Sequence, residues 1–165
     1  MKKIPLVLTP ALLLINNLLS AAPTIDEQRN YYPIHGSNSQ ELRAQMNTYG
    51  PLVKGKHFDG QVKWYVHWNY HWFHDLGKQN CAITSVDVSV LIQHSIPQWE
   101  NAAESDKETQ DKWRNYLSHL ELHESGHATN GKQAAEDIEK ALLSTAPKPS
   151  CDQLKNELNT TAQNL

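Results

Sequence analysis

From Gln61 to Phe73 large apolar and polar side chains alternate with a period of two. Val62, Trp64, Val66, Trp68, Tyr70 and Trp72 fall on one face; Lys63, Tyr65, His67, Asn69, His71 and Phe73 fall on the other. That is the signature of a strand with one face on a core. The rule recurs downstream, with Val86, Val88, Val90 and Ile92 opposed to Ser85, Asp87 and Ser89. The turn-rich residues 75–80 suit an antiparallel hairpin or meander between the two strands, and Pro97 is expected to close the strand region. Upstream, Tyr31-Tyr32-Pro33-Ile34 reads as a short edge strand, because Pro33 cannot donate a ladder hydrogen bond. Gly36 ends it, and Ser37 with Gln40 offers a capping box for a helix that shows Leu42, Met46 and Tyr49 on one face before Gly50-Pro51 stops it.

From about Asp106 the spacing changes to three, four and seven. Trp113, Leu117, Leu120, His127, Ala134, Ile138 and Leu142 then mark one stripe of a long amphipathic helix. Gly126 is costly inside a helix and suggests close approach of another backbone; Gly131 is a candidate kink or helix end. After Pro147 a short polar helical segment carries Cys151. The pattern as a whole predicts an α+β domain, a small antiparallel sheet packed on a long helix.

The start of the chain reads differently. Met1-Lys2-Lys3 is a positive n-region, Ile4 to Leu19 is mostly apolar, and Ser20-Ala21-Ala22 supplies the small residues of a cleavage site. Residues 1–22 are therefore expected to be a signal peptide and 23–165 a single domain, exported to the periplasm or secreted. Pro5, Pro10, Asn16 and Asn17 argue against a membrane span, so none is expected in the mature chain. A formal net charge of −3 leaves no basic surface for tracking phosphates, which excludes nucleic acid as an expected partner. The two cysteines, Cys81 and Cys151, both lie in the exported part, where a disulfide is favoured over zinc ligation because no C-x-x-C spacing is present.

The chemistry concentrates at His123-Glu124-Ser125-Gly126-His127, an H-E-x-x-H sequence within the helical segment. Residues four apart share a helix face, so His123 and His127 can bind one Zn²⁺ ion as neutral imidazoles. Glu124 between them can act as general base toward a water activated by that ion, in the hydrolysis of a peptide or protein substrate. A catalytic zinc site normally has three protein ligands. The third is not assigned: Asn130 and Gln133 stand where an extended metzincin pattern needs Gly and His. Glu136 or Asp137 could reach the ion only if the helix breaks at Gly131, and His67 and His71 are the other candidates. His119, a turn before His123, reads as a surface residue. The missing ligand also keeps open a second reading, an exported binding module without turnover. The sequence sets no oligomeric state.

Several landmarks accompany that motif: Tyr31-Tyr32-x-x-x-Gly36, Tyr49-Gly50-Pro51, Trp64-x-x-x-Trp68-x-Tyr70, Cys81, Ile96-Pro97-x-Trp99 and Trp113-x-x-Tyr116. Together they resemble a bacterial family of predicted secreted zinc-dependent proteases, a domain of unknown function placed among the zincin metallopeptidases. The resemblance runs from about Asn30 to Cys151. It implies a small zincin-like α+β fold, export and metallopeptidase activity with Zn²⁺ at His123 and His127.

Overall fold

The computed structural model describes residues 22–165; the expected signal peptide, apart from Ala22, lies outside them. Three strands, β1 (Thr24–Ile34), β4 (Gln61–Asp75) and β5 (Asn80–Trp99), form one sheet in the order β1-β5-β4. The period-two reading holds for β5 from Ser85 and for β4 as far as His71, where an irregularity before Trp72 shifts the register. Val62, Val66, Trp68 and Tyr70 pack on the core, while Trp64 and Trp72 stay largely exposed. The two strands pair antiparallel across the turn at residues 76–79. The sheet is nevertheless mixed rather than antiparallel, because β1 runs parallel to β5 from Thr24↔Ser89 to Ile34↔Trp99.

Two strand boundaries depart from expectation, each for a physical reason. β1 begins seven residues before Tyr31 because its polar stretch needs no apolar alternation. Main-chain bonds to β5 hold it as an edge, and its charged side chains reach across to the long helix. Glu27 bonds the buried His94 at 2.9 Å and Lys132 at 2.7 Å, while Arg29 meets Glu121 at 3.4 Å. The Lys132 ammonium, then His94, holds the Glu27 carboxyl below its ordinary range against the opposing effect of burial. Pro97, for its part, does not close β5 but sits inside it. Strand β4 pairs only as far as Ser95, so at Pro97 no β4 partner asks for an N–H.

Helix α1 (Ser39–Tyr49) is capped by Asn38, not Ser37. Its Oδ1 accepts from the Gln40 and Glu41 amides at 3.0 Å each, and Glu41 reaches back to the Ser37 amide. A small hairpin of β2 (Leu52–Val53) and β3 (Lys56–His57) follows, turned at Lys54 and Gly55, both in the left-handed region. Asp106 caps helix α2 (Lys107–Leu143), which runs unbroken through Gly131. Helix α3 (Cys151–Gln163) buries Leu154, Leu158 and Ala162. No helix of the described residues is long and apolar enough to cross a membrane.

Both α2 and α3 cover one face of the sheet. Val86, Val88, Val90 and Ile92 meet Ala128, Ala135, Ile138, Leu142, Leu154 and Leu158 in the main core, joined by Val62, Val66, Trp68 and Tyr70. A second cluster of Ile34, Leu42, Met46 and Trp99 packs α1 against the ends of β1 and β5, with Tyr32, Trp113 and Tyr116 beside it. The disulfide joins Cys81, at the start of β5, to Cys151, the first residue of α3, with Cα atoms 5.1 Å apart.

Close packing of α2 on the sheet depends on Gly131 rather than Gly126. A Cβ on Gly131 would stand 2.7 Å from Cγ of Trp64, whereas one on Gly126 would meet nothing within 4 Å. The two Gly→Ala changes should therefore have opposite signs. Overpacking against an indole should make Gly131→Ala lose about 1–2 kcal/mol. Higher helix propensity should let Gly126→Ala gain up to about 1 kcal/mol. Urea unfolding of both variants tests the pair, and equal shifts would contradict this account of α2.

Candidate metal centre

Within α2 the inward stripe is Glu124, Ala128, Gly131, Ala135, Ile138 and Leu142, all buried. It passes through Glu124 and not, as the sequence suggested, through His127. His123 and His127 stand on the exposed flank of that stripe, beside the start of β4 and the β2–β3 hairpin. They face an open cleft lined also by Val53, Phe58, Gly60, Gln61 and Val62. The roles are thus reversed from a shielded histidine pair: the carboxyl is turned inward and the imidazoles outward.

The two histidines approach closely. Their Nε2 atoms are 3.3 Å apart, with the rings nearly perpendicular at 81°. Two nitrogens each ~2.05 Å from one tetrahedral ion would lie about 3.3 Å apart. The pair therefore has the bite of a zinc chelate, and the residues present fit the ion as far as two ligands go.

Glu124, 5 % exposed, owes its place to Gly60. A Cβ on Gly60 would lie 2.8 Å from Glu124 Oε1, so the carboxyl fills the space that glycine leaves empty. The residue before it fixes the loop. Asp59 accepts two bonds from Arg43 Nη1, at 2.6 and 2.7 Å, and one from the Tyr116 hydroxyl at 2.5 Å; its main-chain oxygen accepts from Tyr32 at 2.6 Å. Arg43 also lies over the Tyr116 ring, 5.4 Å from its centre. Burial first, and then Asp59, pushes both tyrosine hydroxyls well above the ordinary phenol range, which keeps them donors.

One loop residue thereby gathers β1, α1 and α2 at the wall that backs Glu124. The sequence showed Asp59-Gly60 only as a turn, because Tyr32, Arg43 and Tyr116 are too distant along the chain to betray the contact. Removing the carboxylate in Asp59→Ala leaves Arg43 and Tyr116 without their acceptor. We expect a loss of about 1–3 kcal/mol in unfolding free energy, measured by denaturant titration; a change near zero would mean that the knot is solvated and idle.

The other candidates for a third ligand do not converge on the pair. With α2 continuous, Glu136 and Asp137 lie about 13–15 Å along the axis from His127. His67 and His71 project from the face of the sheet that α2 does not cover, opposite Ser89 and Ser85 of β5. His119 turns its Nδ1 to the Asn115 carbonyl at 2.7 Å. Among the described residues the one set of three His, Cys, Asp or Glu donors within mutual reach is His74, Cys81 and Cys151, where the disulfide already occupies both sulfurs.

Residues 29–165 match a family described as a bacterial protein of unknown function (DUF922). No curated protein and no solved structure matches the chain. The family's description carries neither a fold nor a chemistry, so the zincin relationship and the protease activity expected from the resemblance stay outside what the match supplies. Over a span that takes in the sheet from Arg29 onward, α1, α2, α3 and the His123–His127 pair, this chain belongs to the bacterial DUF922 family.

Proposed function

We propose that the chain is an exported zinc-dependent hydrolase of peptide bonds, with His123 and His127 as metal ligands and Glu124 as general base. The observation that carries the reading is the 3.3 Å separation of the two Nε2 atoms, matched to a tetrahedral zinc chelate. Bound there, zinc would supply Lewis-acid polarisation of a carbonyl and a lowered pKa for an attacking water. What the chain contributes is placement. Helix α2 fixes the two imidazoles four residues apart, one turn of the same face. Gly60 leaves room for the Glu124 carboxyl, which is buried at the wall of the same cleft. Glu124 then accepts a proton from the attacking water and returns it to the leaving amine.

A second reading, a binding module without turnover, is favoured by one specific observation: among the described residues two imidazoles, not three donors, meet at this point. Metal content of the purified protein, beside His123→Ala, tests the first step of both readings. About one zinc per chain, lost in the variant, is the expected result. No zinc in either protein after reconstitution would remove the hydrolase reading.

A further inference from the structure

His123 and His127 would account for half of a tetrahedral coordination sphere, and among the described residues no third His, Cys, Asp or Glu donor converges on the pair. Asp59 is tied by both carboxylate oxygens to Arg43 and Tyr116. Glu124 is buried under Gly60. Residues 1–21, outside the described part, contain no His, Cys, Asp or Glu at all, so they bring none of the usual donors either.

The remaining coordination positions face the cleft. Its other lining residues, Val53, Phe58, Gly60, Gln61 and Val62, carry no charge. Two neutral imidazoles and one carboxyl, even fully ionised, leave a divalent ion with one uncompensated positive charge. Val53, Phe58 and Val62 give the cleft wall an apolar part beside its polar groups, with Phe58 about half exposed, and its volume is ≈ 270 Å³, which is small beside the ~300–1,000 Å³ typical of drug-sized ligand pockets.

Resting on the zinc reading above, we propose that this chain supplies only two ligands to the ion and that the site is completed from outside by a singly charged, chelating carboxylate carrying an apolar side chain. The carboxyl terminus of a peptide is the member of that class that a peptide hydrolase releases as its own product. Binding of the ion and of the carboxylate is then reciprocal: each tightens the other by the same factor. The open cleft, the two-donor chelate and the uncompensated charge all point the same way.

The test is the zinc dissociation constant of the full mature protein, measured by competition with a chromophoric chelator. It is run without additive, with N-acetylphenylalanine, and with N-acetylphenylalaninamide, which keeps the side chain and removes the carboxylate. Cobalt-substituted protein is followed in parallel by its visible spectrum, whose intensity reports the number and geometry of ligands. We expect the acid to tighten zinc about tenfold, within the range usual for coupled sites, and to change the cobalt spectrum, while the amide does neither. His123→Ala should abolish both responses. Zinc affinity and cobalt spectrum indifferent to the acid would overturn the proposal while leaving the metal site standing. No zinc bound under any of the three conditions would overturn the zinc reading itself.

Discussion

On the hydrolase reading proposed above, Glu124→Gln should lower peptide turnover by about 10²–10⁴-fold, the usual contribution of a general base, while zinc content stays at the wild-type level. The amide is isosteric with the carboxyl, so the space beside Gly60 remains filled and α2 keeps its packing. It cannot take a proton from water, and the neighbouring histidines are not disturbed because Glu124 lies on the inward stripe and they lie on its flank. The assay pairs elemental analysis with hydrolysis of a quenched peptide library by wild type and variant. Retained turnover would remove Glu124 from the chemistry. Zinc lost together with turnover would instead make the carboxyl part of the metal's support.

The second large effect concerns stability. Exchanging both Cys81 and Cys151 for Ala should cost about 2–5 kcal/mol, because the bond closes a long loop with a separation of 70 residues. Thermal unfolding should fall by roughly 5–20 °C for a domain of this size. The disulfide does more than close a loop. Cys81 is fully buried in the main core, and its amide and carbonyl bond Lys148 at 2.7 and 2.9 Å just before α3 begins. Losing it frees the N-terminus of α3, whose Leu154 and Leu158 are core residues. The proposed metal site should be spared, since Cys81 faces His74 at the far end of β4 from Gly60 and Val62. Calorimetry beside zinc content checks both halves; an unchanged melting temperature would mean that the α3 packing alone holds this end of the sheet.

Much of the fold was legible where one face of an element is buried. Strands β4 and β5 announce themselves by alternation, and the long helix by its apolar stripe. What alternation cannot report is an edge strand held by main-chain bonds and ion pairs, so the pattern is silent on residues 24–30 and points to an antiparallel sheet. Periodicity also placed the helix face one residue off at its centre. A buried Glu124 scores as polar and an exposed His127 as borderline, which drew the stripe toward the wrong side.

The glycines show the same limit: composition marks Gly126 and Gly131 as equally costly, and only Trp64 distinguishes them. The H-E-x-x-H motif was plain from spacing alone. The knot at Asp59 was not, because its three partners come from β1, α1 and α2. The continuity of α2 could not be deduced either: Gly131 weakens a helix in isolation, but burial against Trp64 repays that weakness.

The parallel pairing of β1 with β5 bears on the order in which the molecule is built. During synthesis β1 emerges first, yet its partner residues begin at Ser89, so it must wait unpaired while α1 and the β4–β5 hairpin take shape. The hairpin is local and forms early, whereas the parallel seam closes a long loop and is slow. Until then the open edge of β5, the strand that supplies most of the buried sheet residues, is a template for any passing chain. Helix α2 follows later still, and its Lys132 and Glu121 fasten onto β1 only after that strand is seated. The helix that carries the two imidazoles is thus the clasp on the slowest joint of the fold.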